Sequence, residues 1–161
     1  MFERFANSAI LVIMRAQKEA RRQWHNYVGP DHILLALIDN EELKFKNPSI
    51  EDPLPSIAAK VFEKHGVTLD ATRKEADPLD PAKTSVAVEI PFTAASKRLL
   101  KRSWAVADEL ADSKIDTEHL LLALLEDDEG AAHDVLVALN LDKQDLREEA
   151  LKLRAERYCA T

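Results

Sequence analysis

Asp31-His32-Ile33-Leu34-Leu35-Ala36-Leu37 returns later in the chain as Glu118-His119-Leu120-Leu121-Leu122-Ala123-Leu124. The two stretches stand 87 positions apart, and the same shift pairs Phe5 with Phe92. An internal repeat constrains the architecture more than any single motif. Each copy holds an acid, a histidine and an almost wholly apolar run. Such a run alone fits a buried strand or a buried helix. The residues in front of it favour the helix. Gly29 can cap a helix opening with Pro30, whose missing N–H costs nothing there. Asp116 can cap one opening with Thr117 and Glu118. An acid in the first turn also suits the positive end of a helix.

Upstream of each motif the apolar residues fall at spacings of three and four. Phe5, Ala9, Val12, Ile13, Ala16 and Ala20 form one stripe, and Phe92, Ser96, Leu99, Leu100, Ser103 and Ala107 repeat it. Arg15, Lys18, Glu19, Arg21 and Arg22 fill the outer face, read as solvated surface. A third helix is expected over Ser56–Lys64 and again over Ala131–Leu139. Gly66 and Asn140 are its stop signals, since both tolerate the left-handed conformation. These stand 74 positions apart, not 87, so the first copy carries 13 extra residues between Asp39 and Ser56. Asn47-Pro48-Ser49 and Asp52-Pro53-Leu54-Pro55 break helical order there. A fourth helix is expected over Leu69–Ala76 and Lys143–Arg154, with Thr68 and Asp142 as N-caps. The fold class is therefore all-α, a pseudo-twofold bundle of two four-helix repeats. Residues 1–76 form the first, with an inserted loop over 41–55. Residues 77–91 are the linker and 92–161 the second repeat. Four short helices bury little surface alone, so one shared core is expected.

Composition narrows the function. The chain of 161 residues is 46% hydrophobic and 32% charged, as in soluble globular proteins. No apolar run approaches the roughly 20 residues of a membrane helix. Met1-Phe2-Glu3-Arg4-Phe5 does not open a secretory signal. The single cysteine, Cys159, cannot form an intramolecular disulfide, which suits a cytoplasmic location. A net charge of −7 argues against nucleic acid as partner. Glycine patterns for nucleotides, nucleophile–base pairs and metal-ligand spacings are missing, so no enzyme, cofactor or metal is expected. A small helical hydrolase or metalloenzyme is the least supported class. His32 and His119 read as partly buried histidines bonded near a helix start. Trp24 and Trp104 lack aromatic counterparts and read as core fillers. If exposed, either could anchor a partner.

The opening Met1–Phe5, the stretch His25-Asn26-Tyr27-Val28-Gly29 and the two acid-histidine-leucine motifs resemble the duplicated N-terminal domain of Clp-type AAA+ unfoldases. The C-type subclass is nearest, and the resemblance runs from Met1 to about Leu153. The long loop Glu41–Pro55 departs from the family pattern, where a short acidic-glycine turn is usual. The resemblance implies an eight-helix docking platform for adaptors and clients, joined to ATPase modules that thread clients into a protease. No Walker motif is present in this chain, and its tail lacks a Gly/Ser linker. A free-standing accessory protein, adaptor or decoy is expected, with the N-terminal domain of a full-length C-type unfoldase as the alternative. The implied partners are Clp ATPase or peptidase subunits, adaptors and clients, arginine-phosphorylated ones included. Neither nucleic acid nor membrane is implied.

The resemblance further implies a phosphoarginine pocket on each repeat. A threonine at the start of the first helix and its backbone N–H groups would take the phosphate. The glutamate of the motif would take the guanidinium. Thr93 and Glu118 supply both in the second copy. Ala6 and Asp31 replace them in the first, so one pocket at most is expected, in the second copy. The plainer roles are Thr93 as an N-cap and Glu118 as a first-turn acid.

Overall fold

The computed structural model describes residues 3–39, 56–76 and 90–159, with side chains to residue 157. The inserted loop 41–55 and linker residues 77–89 lie outside the described residues. Within them the chain is all helix: α1 (Asn7–Arg22), α2 (Pro30–Ile38), α3 (Ile57–Lys64), α4 (Leu69–Ala76), α5 (Ala94–Glu109), α6 (Thr117–Leu125), α7 (Ala131–Ala138) and α8 (Lys143–Cys159). The starts of α1 and α2 recur 87 positions on at α5 and α6. Those of α3 and α4 recur 74 positions on at α7 and α8. The extra residues of the first copy therefore fall between α2 and α3.

The apolar runs are α2 and α6, and their surroundings explain why they lack a polar face. Helix α2 packs against α1, α3, α4, α5, α6 and α7, while α6 packs against α1, α2, α3, α5 and α8. A helix covered all round can be apolar all round. Leu34, Leu35, Leu37, Leu121, Leu122 and Leu124 are all buried. One core cluster joins the two copies. The fourth helices cross over, with α4 against α7 and α8 against α3. The backbone crosses over too, through two isolated parallel bridges, Phe5 with Ile115 and Val28 with Phe92. These are one pairing seen twice, because Phe92 is the counterpart of Phe5 and Ile115 that of Val28. Ile90 and Pro91, the two described linker residues, join the second copy to this pairing. Ile90 is buried, and the Pro91 carbonyl accepts the Val28 N–H at 2.9 Å.

The caps follow the sequence. Thr68 accepts the Ala71 N–H at 3.3 Å, and Asp142 accepts the Gln144 N–H at 2.8 Å. Four helices end in the same paired 6→1 and 5→2 bonds, which need a left-handed residue just past the cap. Gly66 (φ 70°) and Asn140 (φ 56°) fill two of these places as the sequence indicates. Trp24 (φ 60°) and Ala111 (φ 59°) fill the others, although neither favours that conformation. The core-filler expectation holds only in part for Trp104, which is partly buried against the core beneath the Arg4 guanidinium, 4.8 Å from its ring. It is wrong for Trp24, which is 47% exposed. Trp24 occupies the turn that ends α1, not the buried stripe of the helix.

Candidate functional site

The paired histidines complete the helix starts. In a capping box the third helical residue reaches back to the N–H of the cap residue. A Glu or Gln usually does so, but here the residue is histidine. His32 Nδ1 accepts the Gly29 N–H at 2.9 Å, and His119 Nδ1 accepts the Asp116 N–H at 2.8 Å. With Nδ1 accepting, a neutral ring carries its proton on Nε2. His119 donates it to Asp112 Oδ2 at 2.7 Å. His32 Nε2 lies 2.9 Å from His25 Nδ1 and 3.1 Å from Gln23 Oε1. Both rings are fully buried rather than partly so, and burial holds both below the ordinary histidine pKa. Their ring nitrogens are committed to organising the turn.

Asp112 stands where the first copy has His25, and it carries a network of its own. Arg154 of α8 forks onto it, Nε to Oδ2 at 2.7 Å and Nη2 to Oδ1 at 2.6 Å. Burial pushes the Asp112 carboxyl up, but the bonds from Arg154 and His119 outweigh it and hold the pKa down. In the first copy Arg73 of α4 and Arg22 grip the buried Glu19. Thus each copy bolts its fourth helix with an arginine, at different places. Sequence spacing pairs Arg73 with Arg147 and gives no sign of these partners.

The four candidate binding residues are not grouped by copy. The Thr93 N–H donates to the Val28 carbonyl at 3.0 Å, and Ser96 Oγ donates to the same oxygen at 2.7 Å. The Ala6 N–H donates to the Ile115 carbonyl at 2.8 Å. Thr93 therefore neighbours the start of α2, where Asp31 lies. Ala6 neighbours the start of α6, where Glu118 lies. The reason is elementary. Helix α5 has 16 residues and is about 24 Å long, and a short turn from its far end leads into α6. Thr93 and Glu118 thus sit at opposite ends of one helical hairpin. The backbone bonds thus set the start of α5 beside that of α2 and the start of α1 beside that of α6, so the copies meet at two places, one near Thr93 and Asp31 and the other near Ala6 and Glu118.

The chemistry at these places differs. Thr93 caps α5, its Oγ1 accepting the Ser96 N–H at 3.1 Å and facing Ser96 Oγ at 3.1 Å. Ala6 gives α1 no side-chain cap. Asp31 fits tightly beside Gly29, where an added Cβ would come within 2.6 Å of its Oδ1. Glu118 is 1% exposed, and its Oε2 finds no hydrogen-bond partner among the described residues. Burial first, and then the neighbouring Asp116, raise its pKa to about 7. Arg157 of α8, 3.3 Å from Asp116 Oδ2, pulls the other way. A carboxyl pKa higher in the folded state gives stability that is full below the ordinary 4.5 and is lost as pH rises through about 7. Glu118→Gln has no proton to lose. Urea melts should show the variant gaining roughly 1–3 kcal/mol on wild type between about pH 4.5 and pH 8. The two histidines, whose neutral forms the fold favours, act the opposite way below about 6.5 but cancel in that difference. A pH-independent difference would show that Glu118 is not a buried neutral acid.

Comparison with known proteins agrees with the all-helical, duplicated fold. The Clp repeat (R) N-terminal domain family matches over residues 4–47 and 50–149. The chain is 41% identical over 157 residues to the chloroplastic chaperone protein ClpC1 of Oryza sativa subsp. japonica, covering 97% of this chain. It spans only 16% of that relative's length. Among solved structures, the N-terminal domain of the ClpD chaperone from Arabidopsis thaliana superposes with a TM-score of 0.73 at 26% identity, covering 96% of this chain and 97% of that one. A ClpV N-domain solved with a VipB peptide shares the fold, with a TM-score of 0.64 at 17% identity over 89% of this chain and 82% of that one. The chain belongs to the Clp repeat N-terminal domain family.

Proposed function

We propose that this chain is a non-enzymatic protein-interaction module of Clp ATP-dependent proteolysis, docking clients, adaptors or Clp subunits. The observation that carries the reading is the Clp repeat itself, matched over nearly the whole chain. The peptide seated on the ClpV N-domain supports peptide docking as something this fold does. A second reading, the N-terminal domain of a C-type unfoldase, is favoured by the short share of the ClpC1 relative that the chain spans. In that reading ATPase activity belongs to the rest of the protein, and the docking role is unchanged. No helix among the described residues is long and apolar enough to cross a membrane. A single cysteine suits a reducing compartment, and we place the domain in the cytoplasm. The rice relative is chloroplastic by name.

Arginine-phosphorylated clients are the ligands we assign to the two shared places. Glu118 offers a buried carboxyl for a guanidinium, and the neighbouring start of α1 offers backbone N–H groups for a phosphate. Thr93 and Asp31 form the second, shorter-armed place. Calorimetry with a phosphoarginine peptide tests the assignment. Glu118→Ala should weaken binding by roughly 1.5–3 kcal/mol. Thr93→Ala should add to that loss independently, within about 0.5 kcal/mol, because the two residues serve separate places. Strong coupling between the two substitutions would return them to one pocket. Absence of binding would leave Thr93 a cap and Glu118 a buried acid.

A further inference from the structure

The end of α1 carries a surface that the duplicated copy inverts. Trp24 is 47% exposed and Tyr27 is 44% exposed. Lys18 and Arg21 are exposed on the last turns of α1 beside them, while Arg22 is paired with Glu19. The matching positions of the second copy are Ala105, Asp108 and Glu109, then Ala111 and Lys114. One backbone, built twice, thus presents Lys18, Arg21 and two aromatic rings in one copy, but Asp108, Glu109, Lys114 and no aromatic ring at the same positions in the other. The chain as a whole is acidic, at −7, so this basic end runs against its net charge.

The backbone adds a second observation. Trp24 takes a φ of 60° to close the end of α1, its N–H bonded to the Arg21 carbonyl at 3.0 Å. The equivalent place after α3 holds Gly66, which adopts that conformation without strain. A tryptophan there strains the turn and leaves almost half its surface in water. Its ring therefore adds little to the core. Ala111 takes the same conformation in the second copy, so the turn is common to both copies and the exposed aromatic ring is what sets the first apart.

We infer that the α1 end around Trp24 and Tyr27 docks an acidic peptide segment carrying one bulky apolar side chain. Trp24 and Tyr27 receive the apolar side chain, and Tyr27 is braced by stacking on His25 at 4.9 Å between ring centroids. Lys18 and Arg21 attract the flanking carboxylates. Tryptophan, tyrosine and arginine are the residue types enriched where binding energy concentrates. The surface uses neither Thr93 nor Glu118, so its failure and that of the phosphoarginine places are separable.

Fluorescence anisotropy on the full chain tests the inference with three labelled peptides. One has a central phenylalanine flanked by three glutamates on each side. The second replaces the glutamates with lysines, and the third replaces the phenylalanine with alanine. The first should bind, more weakly as salt is raised, and the other two should lose about tenfold or more. Lys18→Ala with Arg21→Asp, which copies the second repeat, should lose about as much. Trp24→Gly should lose binding yet melt no lower than wild type, because glycine suits the left-handed turn. A merely structural tryptophan would lower the melting temperature on removal. Equal binding of the lysine peptide, or full affinity in both variants, would overturn the inference. So would sedimentation showing that the two variants abolish only self-association, which would make the surface an interface between copies of this chain.

Discussion

Expressed separately, residues 1–76 and 77–161 should each fail to fold, and mixing them should restore the bundle. The expectation follows from where α2 and α6 sit. Each is apolar on every side because helices of both copies surround it. Removing one copy would expose half of that surface to water. Helices α2, α3 and α4 have 9, 8 and 8 residues, and isolated helices under roughly 12–15 residues are marginal in water. The Phe5–Ile115 and Val28–Phe92 bridges would lose their partners in both halves. Circular dichroism should show little helix in either half and recovery on mixing. Cooperative melting of one half alone would mean that the copies are separate domains.

Leu35→Ala and Leu122→Ala should each lose roughly 2–5 kcal/mol, the range for emptying a packed leucine site. Leu35 and Leu122 occupy corresponding places on α2 and α6, and both are buried. A domain with roughly 5–15 kcal/mol in total would be left near its threshold. The two losses should be of similar size if the duplication is structural as well as sequential. Denaturant midpoints will check this. Wild-type midpoints in both variants would contradict the central placing of α2 and α6.

The architecture is legible from the sequence because its signals are local and repeated. Gly66 and Asn140 mark helix ends through backbone preference alone, and Thr68 and Asp142 mark helix starts through one side-chain oxygen. The apolar runs carry no period, yet Gly29-Pro30 and Asp116 in front of them decide for helix. The site is less legible, because the repeat that reveals two copies hides how they interlock. Nothing local to Thr93 says that its N–H meets Val28 of the other copy. The same holds for Arg154 on Asp112 and Arg73 on Glu19, which are contacts between distant helices. A 16-residue helix does carry one usable signal. Its length alone separates Thr93 from the start of α6, and so from Glu118. Tryptophan in a helical context suggests core, whereas the left-handed turn that Trp24 occupies is set by the end of α1.

Affinity capture from native cell extract tests the docking function most directly. The immobilised chain should retain Clp ATPase or peptidase subunits, or client proteins that compete with one another for it. Leu122→Ala, in which the shared core is loosened, should retain less. Retention of no Clp subunit and no client by the folded wild-type chain would contradict the account.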